Sequence, residues 1–250
     1  MTGPEALISP ALSVRHGFFT RRGGVSTGPY ASLNGSLSGG DDRAAVQANH
    51  NRVTASLGAT AMAGLHQVHG AAVVTLDQPW APGAGPQADA MVTNRPGIAL
   101  CIITADCAPV LLADLHAGVI AAVHAGWRGA VAGVLEATLH AMAALGADPA
   151  RIAAAIGPCI RQPSYEVGAD LHDAVLASYP DAARFFLDGG RPGHWRFDLA
   201  GYCALRLAGA GHVDLIPADT LADPGRFFSH RRRTLAGGGP IGHQMSAITL

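Results

Sequence analysis

Residues 108–114 (Ala-Pro-Val-Leu-Leu-Ala-Asp) and 118–123 (Gly-Val-Ile-Ala-Ala-Val) are two short apolar runs with three residues between them. Each has the length of a buried strand, and the gap leaves room only for a hairpin. An antiparallel hairpin with two apolar strands rules out a purely parallel sheet. If the turn centres on Leu115 and His116, Asp114 faces Ala117 and, counting outward, Cys107 faces His124. Directly opposed residues share one face of a sheet, with Cβ atoms about 5 Å apart. That separation suits two ligands of one metal ion, or a thiol beside its base. A one-residue irregularity at Pro109 would instead put the two side chains on opposite faces.

The rest of the chain alternates between the two periods. Residues 41–57 read as a helix, with Asp41 or Asp42 as N-cap and Gly58 as stop. Val131, Val134, Leu135, Thr138, Leu139 and Met142 fall at helical spacing, and Gly146 closes that helix. Residues 168–178 and 199–208 are also expected to be helical. Residues 98–103, 152–156, 213–216 and 245–250 read as strands, and 68–76 as extended. Residues 17–40, 79–88 and 234–242 read as loops. Interleaved strands and helices around a hairpin imply an α/β (α+β) fold: a layered sandwich of mixed β-sheets flanked by helices, with residues 1–250 forming a single domain. A chain of 250 residues that is 49% apolar can bury such a core.

A formal net charge of −1 points to neither nucleic acid nor an anionic membrane as partner. The longest apolar run, residues 97–105, stops at Asp106, short of the ~20 residues of a membrane helix. The first residues lack the basic and apolar regions of a signal peptide, and the four cysteines form no CxxC. A reduced, cytoplasmic protein is the expectation.

His124 opens the run His-Ala-Gly-Trp-Arg-Gly between a strand and a helix. Gly126 and Gly129 let the backbone pass close to a ligand, and free N–H groups with Arg128 favour an anion. The same run also reads as a tight turn with Trp127 in the core. His66 and His69, in Leu-His-Gln-Val-His-Gly, would point to opposite faces of a strand, so one of them is expected to join Cys107 and His124. Two His and one Cys make a zinc set with an open fourth position. Asp106 could orient a ligand, act as a base or cap a turn. Cys101 and Cys203 read as core residues, and Cys159 stays ambiguous. Arg21, Arg22 and Arg231 to Arg233 are either solvated faces or phosphate ligands. GxSxG, HExxH and HxE…PCxxC are absent, which sets aside the usual serine-hydrolase, zincin and deaminase templates.

Taken in order, these segments resemble one family. They are Phe-Thr-Arg-Arg-Gly-Gly-Val-Ser (19–26), Ser-Leu-Asn (32–34), Asn-Arg (51–52), His-Gln-Val-His-Gly (66–70), Asp-Ala (89–90), Thr-Ala-Asp-Cys-Ala-Pro-Val (104–110) and His-Ala-Gly-Trp-Arg-Gly (124–129). Ile-Gly-Pro-Cys-Ile (156–160), Tyr-Glu-Val-Gly (165–168) and Phe-Phe-Ser-His-Arg-Arg (227–232) complete the set. The chain is similar to the laccase-domain family, also called polyphenol oxidases and more recently purine nucleoside phosphorylases. The resemblance implies a layered α/β sandwich binding zinc, or copper, through His69, Cys107 and His124. It implies Cys107, His124 and Arg21 as catalytic residues, and Arg21, Asn34, Gly126 and Arg128 as contacts for substrate or phosphate. The implied activity is phosphorolysis of adenosine, inosine and methylthioadenosine, with adenosine deamination beside it; nucleoside and phosphate are the expected partners. A metal-free cysteine hydrolase, with Cys107 as nucleophile and His124 as base, is the alternative, and some family members are linked to peptidoglycan-precursor editing. Polyphenol oxidation as the main role fits poorly, because the 12 histidines include no His-x-His pair. One position departs from the family: its Gly-Arg-Gln segment is here Gly242-His243-Gln244. An imidazole, largely neutral at pH 7, stands in place of a guanidinium.

Overall fold

The computed structural model describes residues 3–250. Among them, two large sheets stack face to face. The five-stranded sheet runs β1 (Ala6–Leu7), β2 (Arg15–Phe19), β14 (Gln244–Thr249), β6 (Ile98–Thr104), β3 (Ala61–Ala63). The six-stranded sheet runs β13 (His212–Leu215), β9 (Ala153–Ile156), β7 (Ala108–Asp114), β8 (Val119–Ala125), β5 (Ala90–Thr93), β4 (Val73–Thr75). Both are mixed: β3–β6, β4–β5 and β9–β13 are parallel, and the other pairs antiparallel. A small third sheet joins β10 (Glu166–Val167), β12 (Trp195–Phe197) and β11 (Phe186–Asp188).

Alternation along each strand decides which core it feeds. In β7, Leu111 and Ala113 turn toward the five-stranded sheet and pack with Phe18, Leu100 and Ile102. Val110 and Leu112 turn the other way, onto α3 (Val134–Ala144), α4 (Ala169–Ser178) and α5 (Leu199–Arg206). On the outer face of the five-stranded sheet, Cys101, Met245 and Ala247 pack with Val53 and Leu57 from α1 (Arg43–Ser56) and its C-cap. The result is a helix–sheet–sheet–helix sandwich of the class read from the pattern. All of β7 and β8 is buried, which is why both read as unbroken apolar runs.

The expected helix over 41–57 forms as α1, with the Asp42 side chain accepting from Ala44 N at 3.0 Å and Gly58 at φ 64° ending it. Four expectations need correction. The helix expected through 131–146 is broken at Gly133, whose φ of 95° separates α3 from the short α2 (Trp127–Ala132). The stretch 17–40, expected to be loop, begins inside β2. Only Val73–Thr75 of the extended segment 68–76 is a strand.

The fourth correction is the hairpin register. The turn is longer than expected: Asp114 pairs with Val119, Pro109 with His124, and Ala108 with Ala125. Asp114 Oδ1 accepts from His116 N at 3.0 Å and Ala117 N at 3.2 Å, and this local bonding ends the ladder early. The register therefore moves by two residues. An even shift preserves facing, so Cys107 and His124 become diagonal neighbours on one side of the sheet.

Candidate metal centre

The ends of β6 and β8 and the starts of β7 and β14 meet at one edge of the sandwich, and the chemistry gathers there. Cys107 lies between β6 and β7. It follows Asp106, which is held at φ 96°, a left-handed conformation that Asp tolerates better than most residues. The buried Asp106 carboxylate accepts from Thr220 Oγ1 at 2.6 Å, Ser229 Oγ at 2.9 Å and Arg231 N at 2.6 Å. Of the three roles open in the sequence, this is the capping one: Asp106 ties the Cys107 turn to the first turn of α6 (His230–Leu235).

A single carboxylate places both histidines. Asp89 is fully buried, and its Oδ1 accepts from His124 Nδ1 at 2.7 Å and from His69 N at 2.9 Å. Its Oδ2 accepts from Gly70 N at 2.7 Å and Val68 N at 3.2 Å. These bonds hold His69 at φ 60°, in a turn rather than a strand. His69 therefore joins the group because of turn geometry, not the strand alternation expected. The imidazole of His124, fixed through Nδ1, directs Nε2 toward Cys107 and His69. The two rings meet edge to face with centroids 4.7 Å apart.

Potential ligand atoms of His69, Cys107 and His124 lie within 4.8 Å of one another, and Cys107 Sγ is 3.9 Å from His69 Nε2. Tetrahedral zinc, with bonds of about 2.0–2.3 Å, needs ligand atoms roughly 3.3–3.8 Å apart, so the donor set fits with little movement. Gly126 leaves the necessary room: a Cβ there would come 2.9 Å from His69 Cδ2 and 3.1 Å from Cys107 Sγ. The glycine expected to admit an anion thus makes space for the ligand side chains themselves.

The electrostatics agree with this arrangement. Burial pushes the Cys107 thiol up, but the charge and hydrogen bonds of His124 and His69 outweigh it and bring the thiol below its ordinary value. Burial lowers His124, yet the Cys107 thiolate and Asp89 bring it up overall. The pair favours thiolate beside imidazolium, the form of the sulfur that binds metal or attacks an electrophile. Cys101 and Cys159 are pushed up to about 12 by burial, and Cys203 also rises, so these three are inert core thiols.

The group opens into a cavity of about 580 Å³. Arg128 and Arg231 line it, their guanidinium carbons 4.3 Å from the Trp127 ring centroid and 5.5 Å from that of Tyr165. Neither guanidinium meets a carboxylate among the described residues. His66 lines the cavity but stands outside the three-residue ligand group. His243 lines it too, and burial with His124, His230 and Arg233 nearby pushes this imidazole down to about 4.

Two sequence-predicted residues sit elsewhere. Arg21 is absent from the cavity lining: its Nε donates to Ala31 O at 2.7 Å, its Nη1 to Pro224 O at 3.1 Å, and it stacks on Phe228 at 4.4 Å. The geometry gives no support to a phosphate or catalytic role for it. Asn34 is wholly buried, donating to Asp41 Oδ2 at 2.9 Å and accepting from Ser36 N at 3.0 Å and His243 N at 2.9 Å. These bonds tie Ser36 and Asp41 to His243, the residue that precedes β14. Arg232 is likewise structural, donating to Phe227 O, Thr220 O and Leu221 O. No motif spacing in the sequence assigns Asp89 a role. The signal available was an acid directly before the apolar Ala-Met-Val of β5, a place where an unpaired charge is costly.

A family model described as multi-copper polyphenol oxidoreductase laccase matches residues 15–250. A Deinococcus radiodurans protein named purine nucleoside phosphorylase is 44% identical over 236 residues, covering 93% of this chain and 90% of that one. A Streptomyces griseus protein named purine nucleoside phosphorylase ORF3 is 41% identical over 242 residues, covering 92% of this chain and 94% of that one. The crystal structure of a Neisseria meningitidis protein superposes with a TM-score of 0.89 at 36% identity, covering 100% of this chain and 99% of that one. Bacillus licheniformis hypothetical protein YfiH gives a TM-score of 0.91 at 29% identity, with coverage of 100% and 97%.

Proposed function

The chain belongs to the multi-copper polyphenol oxidoreductase laccase family, and from that premise we propose that it is a zinc-dependent purine nucleoside phosphorylase acting on adenosine, inosine and methylthioadenosine. One observation carries this reading: a His-Cys-His donor set and two arginines that meet no carboxylate among the described residues line one cavity of about 580 Å³. That volume falls in the range of small-molecule sites.

In phosphorolysis an oxygen of phosphate bonds to the anomeric carbon while the C–N bond breaks and its electron pair leaves on the base. The sugar passes through a cation-like state, so positioning and charge placement supply most of the acceleration. Arg128 and Arg231 would hold the phosphate dianion, each kept in place by an aromatic ring. His69, Cys107 and His124 would hold the metal, and Asp89 would keep His124 in one tautomer. When bound, zinc would supply Lewis-acid polarisation, the chemistry that adenosine deamination as a second activity would also need. Copper fits the same soft donor set.

The test joins elemental analysis to a phosphate-dependent assay with inosine and adenosine. Wild type should carry one zinc per chain and release free base only with phosphate. Cys107→Ala should lose the zinc. Arg128→Ala and Arg231→Ala should each raise KM for phosphate by about tenfold, the loss of one charge-assisted contact. Undiminished zinc in Cys107→Ala, or base release independent of phosphate, would overturn the reading.

The thiolate–imidazolium pair favours a second reading, the metal-free cysteine hydrolase. Activity that survives chelation and is abolished by alkylating Cys107 would select it.

A further inference from the structure

Tyr165 lines the cavity together with Arg128 and Arg231, and its hydroxyl bonds to nothing else among the described residues. The residue is held firmly. Its N–H donates to Gln162 O at 3.2 Å, and its carbonyl accepts from Phe197 N at 3.0 Å. Its ring packs on Phe197, with centroids 6.1 Å apart, and carries the Arg231 guanidinium 5.5 Å from its own centroid. A largely buried tyrosine ordinarily finds a partner for its hydroxyl. Tyr30 does so at Gly39 O over 2.7 Å, and Tyr202 at Arg206 Nη1 over 2.7 Å. The Tyr165 hydroxyl has no such partner, yet it is not one of the unpartnered polar atoms sealed from solvent. It therefore sits at the open side of the residue, and that side is the cavity wall. The charged groups that act most on the phenol agree: Cys107, Arg231, Asp106 and Arg128 all line the same cavity.

Burial, and then the Cys107 thiolate, push this phenol above its ordinary value, so it keeps its proton and can donate. Two guanidiniums, which only donate, stand with it. The Asp106 carboxylate, an acceptor in the same wall, is already occupied by Thr220 Oγ1, Ser229 Oγ and Arg231 N. Donors gathered in this way suit a ligand dominated by acceptor oxygens. Phosphate is such a ligand, whereas the hydroxyls of a sugar and the N–H groups of a base donate as well.

We propose that Tyr165 is a third phosphate contact: its hydroxyl donates to an oxygen of the phosphate held by Arg128 and Arg231. The proposal rests on the phosphorylase reading above and adds to it a residue that orients the anion. Two charges gather a dianion, and a hydroxyl on a fixed ring gives it one direction.

The experiment uses the zinc-loaded chain, with inorganic phosphate as the probe. Calorimetric titration reads phosphate affinity, and initial rates with inosine read KM for phosphate and for nucleoside separately. Tyr165→Phe keeps the ring beside Arg231 and removes only the hydroxyl. It should weaken phosphate binding and raise KM for phosphate by about tenfold or more, the loss of one hydrogen bond to a charged group. Zinc content, Tm and KM for inosine should stay as in wild type. Unaltered phosphate affinity and KM in Tyr165→Phe, with turnover that still requires phosphate, would overturn the contact and leave the phosphorylase reading standing. A loss confined to KM for inosine would do the same, because it would put the hydroxyl at the nucleoside. Phosphate binding that weakens in the variant of a protein that never turns nucleoside over would keep the contact and sink the phosphorylase reading. A wild type that neither binds phosphate nor needs it for base release would overturn both.

Discussion

Asp89 shows how far one side chain can determine a site. Its four accepted hydrogen bonds fix the His124 ring and fold the His69 turn. Although burial raises its carboxyl, the bonds from His124, Gly70 and His69 hold it below the usual range, so it stays charged. Asp89→Asn keeps the size but removes the charge and brings N–H groups against N–H groups. It should weaken zinc by about 10–100-fold, as loss of a carboxylate behind a histidine ligand does elsewhere. Competition with a chromogenic chelator measures this, and an unchanged affinity would remove Asp89 from the account. Gly126→Ala tests the same centre from the opposite side. Its Cβ would press on His69 and Cys107, so zinc affinity should fall at least about tenfold while far-UV circular dichroism stays native. Arg21→Ala should lower Tm and leave KM for phosphate alone, since its donors serve the carbonyls of Ala31 and Pro224.

At the scale of elements, the β7–β8 hairpin carries the site, and its turn sets the register. The Asp114 carboxylate bonds His116 N, Ala117 N and Asp148 N, and pairs with Arg151 at 3.4 Å. Burial pushes it up, but these bonds and Arg151 hold it below its ordinary value. Asp114→Ala should cost about 1–3 kcal/mol in urea unfolding at pH 7. Because the folded-state pKa is depressed, that contribution is complete above the unfolded value of about 3.9 and disappears as pH falls through the folded one. The gap between wild type and variant should therefore close below about pH 4, and a gap constant with pH would contradict the assignment. The hairpin was legible because apolar runs of strand length are local. Its register was not, since side-chain bonds from Asp114 extend the turn. The same limit hid the break at Gly133, where only a φ of 95° separates α2 from α3. His69 reaches the group through a turn and not through strand alternation. Its histidine type was visible, whereas the turn that aims it depends on Asp89, 20 residues away in sequence. The internal bonds of Arg21 and Asn34 were not legible either, because buried backbone groups recruit polar side chains as readily as ligands do.

For the whole molecule, the two sheets are joined through more than apolar contact. Leu111, between the sheets and fully buried, should lose about 2–5 kcal/mol on replacement by Ala. Beside that core runs a polar link. His16 in β2 accepts Ser9 N–H at Nε2 over 3.0 Å and donates from Nδ1 to Val14 O over 2.8 Å. Ser9 Oγ in turn donates to Asp214 of β13, in the other sheet. This bonding requires a neutral imidazole, because a proton on Nε2 would face the Ser9 N–H. Burial lowers His16, and the bond to Val14 only partly opposes it. The sign follows: a histidine with a folded pKa below its unfolded value of about 6.5 binds protons more readily when unfolded. Stability is therefore complete above about pH 6.5 and declines as pH falls toward the folded value, at a rate of at most about 1.4 kcal/mol per pH unit for this one group. His16→Gln keeps a polar side chain that does not titrate. Urea unfolding of the metal-free protein between pH 7.5 and about 5 should show a shallower decline in that variant than in wild type. Parallel slopes would mean that His16 does not couple the inter-sheet link to pH.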